Sequence, residues 1–195
     1  MKKIFTLVIV SFLSALAVQA QKVVVNKTDG SKVVYQANEV KDVQFVPATL
    51  ADTYTGSYKG FDNVNVMVSY TSSEEVVYKV TANEDGTINL IVPEVTYKKT
   101  VMGNLTLGTY TIKNISYDKS KKAFVKAYKD DNVKFHFIKK NDDGSIISDQ
   151  EYTFDSEKCK VVISKEADGK LKVENTYQLG RMPFPISGSF KGTKQ

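Results

Sequence analysis

Few side chains in this sequence can do covalent or proton-transfer chemistry. The chain holds one histidine, His136, and one cysteine, Cys159. A nucleophile activated by a histidine base must recruit His136. That residue lies in Val133-Lys134-Phe135-His136-Phe137, where two-residue alternation turns it away from the phenylalanines and toward the face of Lys134 and Ile138. Such a histidine is structural or solvent-facing. Cys159 shares an alternating face with Val161 and Ile163, so it reads as a small buried apolar residue. A zinc centre takes three or four His, Cys or carboxylate ligands, which this pair does not supply. The acidic pairs Glu84-Asp85, Asp130-Asp131 and Asp142-Asp143 lack the alternating carboxylates and closing Glu of a calcium loop. They read as turns. There is no phosphate loop and no dinucleotide fingerprint. The expectation is a non-enzyme with no metal and no cofactor.

Aromatic residues are the remaining lead. There are 11 Tyr and 10 Phe but no Trp, and most fall in alternating runs. With the valine–tyrosine faces turned inward, Tyr70, Tyr78, Phe135, Phe137, Tyr152 and Tyr177 would line one interior. Buried tyrosine hydroxyls need partners, which a ligand, water or neighbouring Ser, Thr and Asn can supply. Two readings stay open: a packed core, or a cavity for a small apolar or amphipathic ligand.

The elements that would position these rings are strands. Asn63–Tyr70 reads as one half-buried strand with Val64, Val66, Val68 and Tyr70 on a single face. Val76, Tyr78 and Val80 repeat the pattern, as do Ile88, Leu90 and Val92. Leu171, Val173, Asn175 and Tyr177 oppose Lys172, Glu174 and Thr176. Asp29-Gly30, Asn83–Gly86, Asn141–Gly144 and Ala167–Gly169 punctuate the runs, and Asp-Gly favours tight hairpins. No helix of ten or more residues is expected after Gln21; Leu50-Ala51-Asp52 makes one short turn at most. Gly56-Ser57-Tyr58-Lys59-Gly60 is echoed near the end by Gly188-Ser189-Phe190-Lys191-Gly192. In an up-and-down barrel the first and last strands are neighbours, and glycines allow the coiling that closure needs. The predicted fold is all-β: a closed, mostly antiparallel up-and-down barrel of about eight to ten strands, preceded by a small N-terminal ribbon.

Residues 1–20 form a basic start, an apolar run and the small-residue ending Val18-Gln19-Ala20, the layout of a secretory signal peptide. The run is too short to span a bilayer, so the mature chain is expected to begin at Gln21 with no transmembrane span. Residues 21–53 read as the β-ribbon and a linker, and 54–195 as the barrel. Cys159 is too far from the cleavage site to be a lipidated first residue. The Lys2-Lys3-Ile4-Phe5 start, the lysine-rich composition and the absent disulfides point to a Gram-negative bacterium, and so to periplasm, cell surface or medium. The net charge is +5, part of it from Lys2 and Lys3 in the leader. The lysines are scattered and Arg181 is the sole arginine, which excludes a basic nucleic-acid stripe. The expected partners are a small hydrophobic ligand in the barrel, or an envelope protein engaged by strand addition to the ribbon.

Three stretches resemble the bacterial calycin-like β-barrel domain, a lipocalin-like family of secreted proteins. They are Tyr54-Thr55-Gly56-Ser57-Tyr58-Lys59-Gly60; Glu84-Asp85-Gly86-Thr87-Ile88-Asn89-Leu90 with Met102-Gly103-Asn104-Leu105; and Met182-Pro183-Phe184-Pro185-Ile186 running into Ser189-Phe190-Lys191-Gly192-Thr193-Lys194. The resemblance implies a closed lipocalin/calycin-like barrel. Members of that family generally lack an assigned activity, so it implies fold more than function. True lipocalins carry Gly-x-Trp on the first strand, packed on a late Arg or Lys. Here Tyr58 stands two residues after Gly56 instead. By that resemblance Gly56, Tyr58 and Phe190 pack the barrel base, with Arg181 or Lys191 covering Tyr58 through a cation–π contact.

Overall fold

Alternation of branched and aromatic residues with polar ones builds almost every element of this chain. The computed structural model describes residues 22–26, 30–42, 48–178 and 185–195. The leader, the expected ribbon's last stretch Val43-Gln44-Phe45, Arg181 and the Met182-Pro183-Phe184 motif lie outside the described residues. The chain forms two units, Met1–Pro47 and Ala48–Gln195. In the first, β1 (Lys22–Asn26) and β2 (Lys32–Gln36) pair antiparallel with Val24 opposite Val34. Gly30 takes φ +84° in the connection, which a residue without Cβ adopts freely.

The second unit opens on α1 (Leu50–Tyr54). Thr49 caps it by accepting from the Asp52 amide at 3.2 Å, and the Asp52 carboxylate accepts from the Thr49 amide at 2.6 Å. Ala51 and Tyr54 of this helix are buried. Thirteen strands follow: β3 (Gly56–Val66), β4 (Val68–Thr71), β5 (Val76–Ala82), β6 (Ile88–Val92), β7 (Val95–Thr100), β8 (Gly103–Leu107), β9 (Tyr110–Asp118), β10 (Ala123–Ala127), β11 (Lys134–Lys140), β12 (Ile146–Thr153), β13 (Lys160–Lys165), β14 (Leu171–Tyr177) and β15 (Ile186–Lys194).

Eight of them close a barrel in the order β3-β5-β6-β9-β10-β13-β14-β15. Closure is made by β15 on β3, from Ser187 opposite Asn65 to Lys194 opposite Tyr58. The two echoing pentapeptides therefore meet, as expected, with Gly60 directly opposite Gly192. The glycines are required by proximity. A Cβ on Gly60 would lie 2.0 Å from the Lys191 carbonyl oxygen, and one on Gly192 would lie 2.4 Å from the Phe190 ring.

The hairpins β7/β8 and β11/β12 prolong β6/β9 and β10/β13 past breaks at Pro93-Glu94, Gly108-Thr109 and the segments 128–133 and 154–159. Beyond those breaks β8 pairs with β11, making a four-stranded sheet in the order β12-β11-β8-β7. Pro93 has no N–H to offer a ladder. One strand expectation needs correction. Asn63–Tyr70 is a hairpin: the chain reverses at Met67, which adopts φ +71°, so that Val66 faces Val68 and Val64 faces Tyr70. Directly paired residues share a face, so the single-face grouping survives although the strand does not. No Gly, Asn or Asp marks this turn, which is why its pattern reads as continuous.

Candidate ligand site at the barrel mouth

Along β3 the inward positions are Tyr58, Gly60, Asp62 and Val64, and they trace the interior from one end of the barrel to the other. The Tyr58 end is closed. Tyr58 is fully buried, and its hydroxyl donates to the Tyr54 carbonyl of α1 at 2.7 Å. Tyr54 in turn packs edge-on against Phe124, with centroids 5.0 Å apart. Gly56, at φ +149°, sits against the Lys194 side chain. Lys191 pairs with Glu166 at 2.6 Å, and the cation over a ring at this end is Lys165, 5.1 Å from the Tyr54 centroid.

The middle of the barrel is filled. Phe190 stacks on Tyr78 with centroids 4.0 Å apart, and Phe135 stacks on Phe154 at 4.4 Å. Two polar clusters are embedded here. The Asp62 carboxylate accepts from the hydroxyls of Tyr78 and Tyr97, the latter at 2.7 Å. Tyr128 donates to the Asn175 carbonyl at 2.7 Å, and the Asn175 amide donates to the Tyr110 hydroxyl at 2.9 Å. Asp62 is 5% exposed. Burial pushes its carboxyl up to about 6, against the opposing pull of the two tyrosine hydrogen bonds. Burial and the Asp62 charge push Tyr78 and Tyr97 far above the usual phenol range. The open space left among these groups is about 20 Å³, enough for a single water-sized group.

Above this layer the barrel opens. Between the β3–β4 and β15 edge and the four-stranded sheet lies a cleft of about 450 Å³, within the span usual for small-molecule sites, roughly 300–1,000 Å³. Its lining is apolar. Val64, Val66 and Ile186 form one side, while Leu105, Leu107 and Phe137 form the other. The tyrosines at its rim have their hydroxyls engaged: Tyr70 accepts from the Val101 amide at 3.2 Å, and Tyr152 donates to Gln150 at 2.7 Å. Of the residues that line it, Val101 and Met102 are 86% and 48% exposed.

Of the six aromatic residues expected in the interior, Tyr70, Phe137, Tyr152 and Tyr177 line the cleft. Phe135 is absent from both spaces and is locked in the ring stack. Tyr78 borders only the small lower chamber. Arg181 lies outside the described residues. Sequence reasoning missed Asp62 and the leucine wall of the cleft. Asp62 had a legible signal, a lone carboxylate in phase with Tyr58 and Val64. Leu105 and Leu107 had none, because their role depends on β8 pairing with β11.

The other reactive side chains stand apart from the cleft. His136 is exposed, and its Nδ1 lies 2.8 Å from Asp149, whose hydrogen bond and charge raise the imidazole above its ordinary value. Cys159 is buried, and burial pushes its thiol up. Among the described residues no group of three or more His, Cys, Asp or Glu is placed to hold a metal ion. No helix among them is long and apolar enough to cross a membrane.

A closed eight-stranded meander, plugged at one end by a short helix and open at the other into an apolar cleft, defines the class of lipocalin-like barrels. Residues 54–193 match the family model described as the Calycin-like beta-barrel domain, and the chain belongs to that family. No curated protein and no solved structure matches it.

Proposed function

We propose that this chain is an exported, non-catalytic binding protein that holds a small apolar or amphipathic molecule in the cleft at the barrel mouth. The observation that carries this reading is the cleft itself, about 450 Å³ of apolar-walled space on a barrel whose middle is otherwise packed. The exposed Val101 and Met102 give it an apolar lip, and adaptable thioether side chains suit variable apolar surfaces. Export is inferred from the leader at 1–20.

Filling the cleft tests this. Leu105→Trp places an indole in the space and is expected to weaken binding of an apolar fluorescent probe by about tenfold or more, equivalent to losing about 1.4 kcal/mol of contact. Fluorescence titration reads the change, and mass spectrometry of gently purified protein reads any native ligand. Unchanged probe affinity in a folded Leu105→Trp protein removes the cleft as the site.

A second reading concerns the ribbon. Val24, Val25, Val34 and Tyr35 are between 44% and 51% exposed, and among the described residues each ribbon strand pairs only with the other. Both outer edges therefore offer backbone groups for strand addition by an envelope protein. Deleting 21–46 is expected to abolish crosslinking to such a partner and to leave the barrel's melting temperature unchanged. Collapse of the barrel on deletion would instead make the ribbon a structural part of the fold.

A further inference from the structure

The floor of the cleft is not uniformly apolar. Val64, Tyr97, Leu107 and Tyr177 border both the cleft and the small chamber beneath it, so the two spaces adjoin across these side chains. Tyr177 is 3% exposed. Its ring packs edge-on against Phe154 at 5.3 Å, and its hydroxyl has no hydrogen-bond partner among the described residues. Every fully enclosed side-chain nitrogen or oxygen described does have a partner. The Tyr177 hydroxyl is therefore the exception that keeps contact with open space, at the junction of the two chambers. Across the lower chamber stands Asp62. Each of its carboxylate oxygens accepts one tyrosine hydroxyl and retains a further lone pair.

We infer that the lower chamber is a subsite for one neutral hydroxyl, and that the ligand is an apolar molecule carrying a single terminal alcohol. The inference rests on the cleft being a ligand site and adds the chemistry of what enters it. The apolar body occupies the cleft. Its terminal oxygen accepts from the Tyr177 hydroxyl, and its own hydroxyl hydrogen is donated to Asp62. Size excludes larger polar heads: about 20 Å³ admits one oxygen but not a phosphate or a sugar. Charge excludes a carboxylate, which would bring a second anion beside Asp62 in a site with little water. A wholly apolar ligand seals off the Tyr177 hydroxyl without a partner and forfeits affinity for that reason.

The test compares 1-decanol, decane and decanoate as competitors of a fluorescent apolar probe at pH 8, on the full chain and on Tyr177→Phe. That substitution removes only an oxygen that has no partner among the described residues, so the variant is expected to fold, as thermal melting checks. On the unaltered chain decanol is expected to bind about tenfold more tightly than decane or decanoate, and Tyr177→Phe to abolish that preference. If all three compete equally on the unaltered chain, the hydroxyl subsite is overturned while the cleft stands as an apolar site. Decanoate matching or exceeding decanol overturns it as well, as does a decanol preference that survives Tyr177→Phe. If no probe or competitor binds the folded chain, the cleft reading falls and the subsite with it.

Discussion

Phe190→Ala is expected to lower the stability of the barrel by about 3–5 kcal/mol, the range for emptying a buried aromatic site. Phe190 is 1% exposed, lies parallel to Tyr78 at 4.0 Å and sits on β15 opposite Asp62, in the middle of the seam that closes the barrel. Gly192 leaves room for the ring, since any Cβ there would overlap it. The truncated side chain leaves a cavity whose walls are two hydrogen-bonded strands that cannot both move inward. Domain stabilities run about 5–15 kcal/mol, so the loss is a large part of the total. Urea unfolding monitored by circular dichroism measures it, with Val77→Ala as a surface reference expected to change little, within about 0.5 kcal/mol. A Phe190→Ala midpoint equal to that reference would show that the seam does not depend on this ring.

The second large effect is a pH dependence of opposite sign to the one carboxylates usually give. The Asp62 carboxyl is raised from an ordinary value near 3.8 to about 6 by burial. Between those two values the folded chain holds a proton on Asp62 that the unfolded chain has released. Stability from this group is therefore greatest below pH 4, falls as pH rises toward 6 and is flat above it. Two pH units correspond to about 3 kcal/mol for a group this enclosed. Exposed carboxylates act the other way. Asp118 is held at about 2 mainly by the Ser120 hydroxyl, and Asp85 and Asp143 are lowered mainly by Thr87 and Ser145. These lose stability as pH falls, so the Asp62 contribution must be isolated by difference. Against Asp62→Asn, the unaltered chain is expected to lose about 3 kcal/mol of relative stability between pH 4 and pH 7. Denaturant midpoints at half-unit pH steps read it. Parallel profiles would place Asp62 in a wetter setting than its hydrogen bonds to Tyr78 and Tyr97 indicate.

Legibility in the sequence followed the range of the interaction. Strands whose neighbours are joined by short turns were readable: Ile88–Val92, Leu171–Tyr177 and the Asn83–Gly86 and Ala167–Gly169 turns depend on alternation and on residues that tolerate positive φ. The reversal at Met67 was not readable, because a methionine held at φ +71° carries no turn signature; its cost, of order 1–2 kcal/mol, is offset by the β3–β4 pairing around it. The packed state of Tyr78 and Phe135 was equally hidden. Their alternation put them inside but could not separate a ring stacked on Phe190 or Phe154 from one facing open space.

What the sequence determined by itself is the all-β character, the two-faced alternation of strands such as Ile88–Val92 and Leu171–Tyr177 and, through the Gly56–Gly60 and Gly188–Gly192 echo, the closure of the barrel. Side-chain alternation and glycine are local properties, and closure brings together two segments that carry the same local signature. Tertiary structure alone decided that the interior is solid at mid-height and open at the mouth. That outcome depends on β8 pairing with β11 to raise a second sheet, and on Asp62, Tyr97 and Tyr177 arriving from three distant strands at one level. Long-range register of this kind is set by the sum of many packing contacts, and no short stretch of chain encodes it.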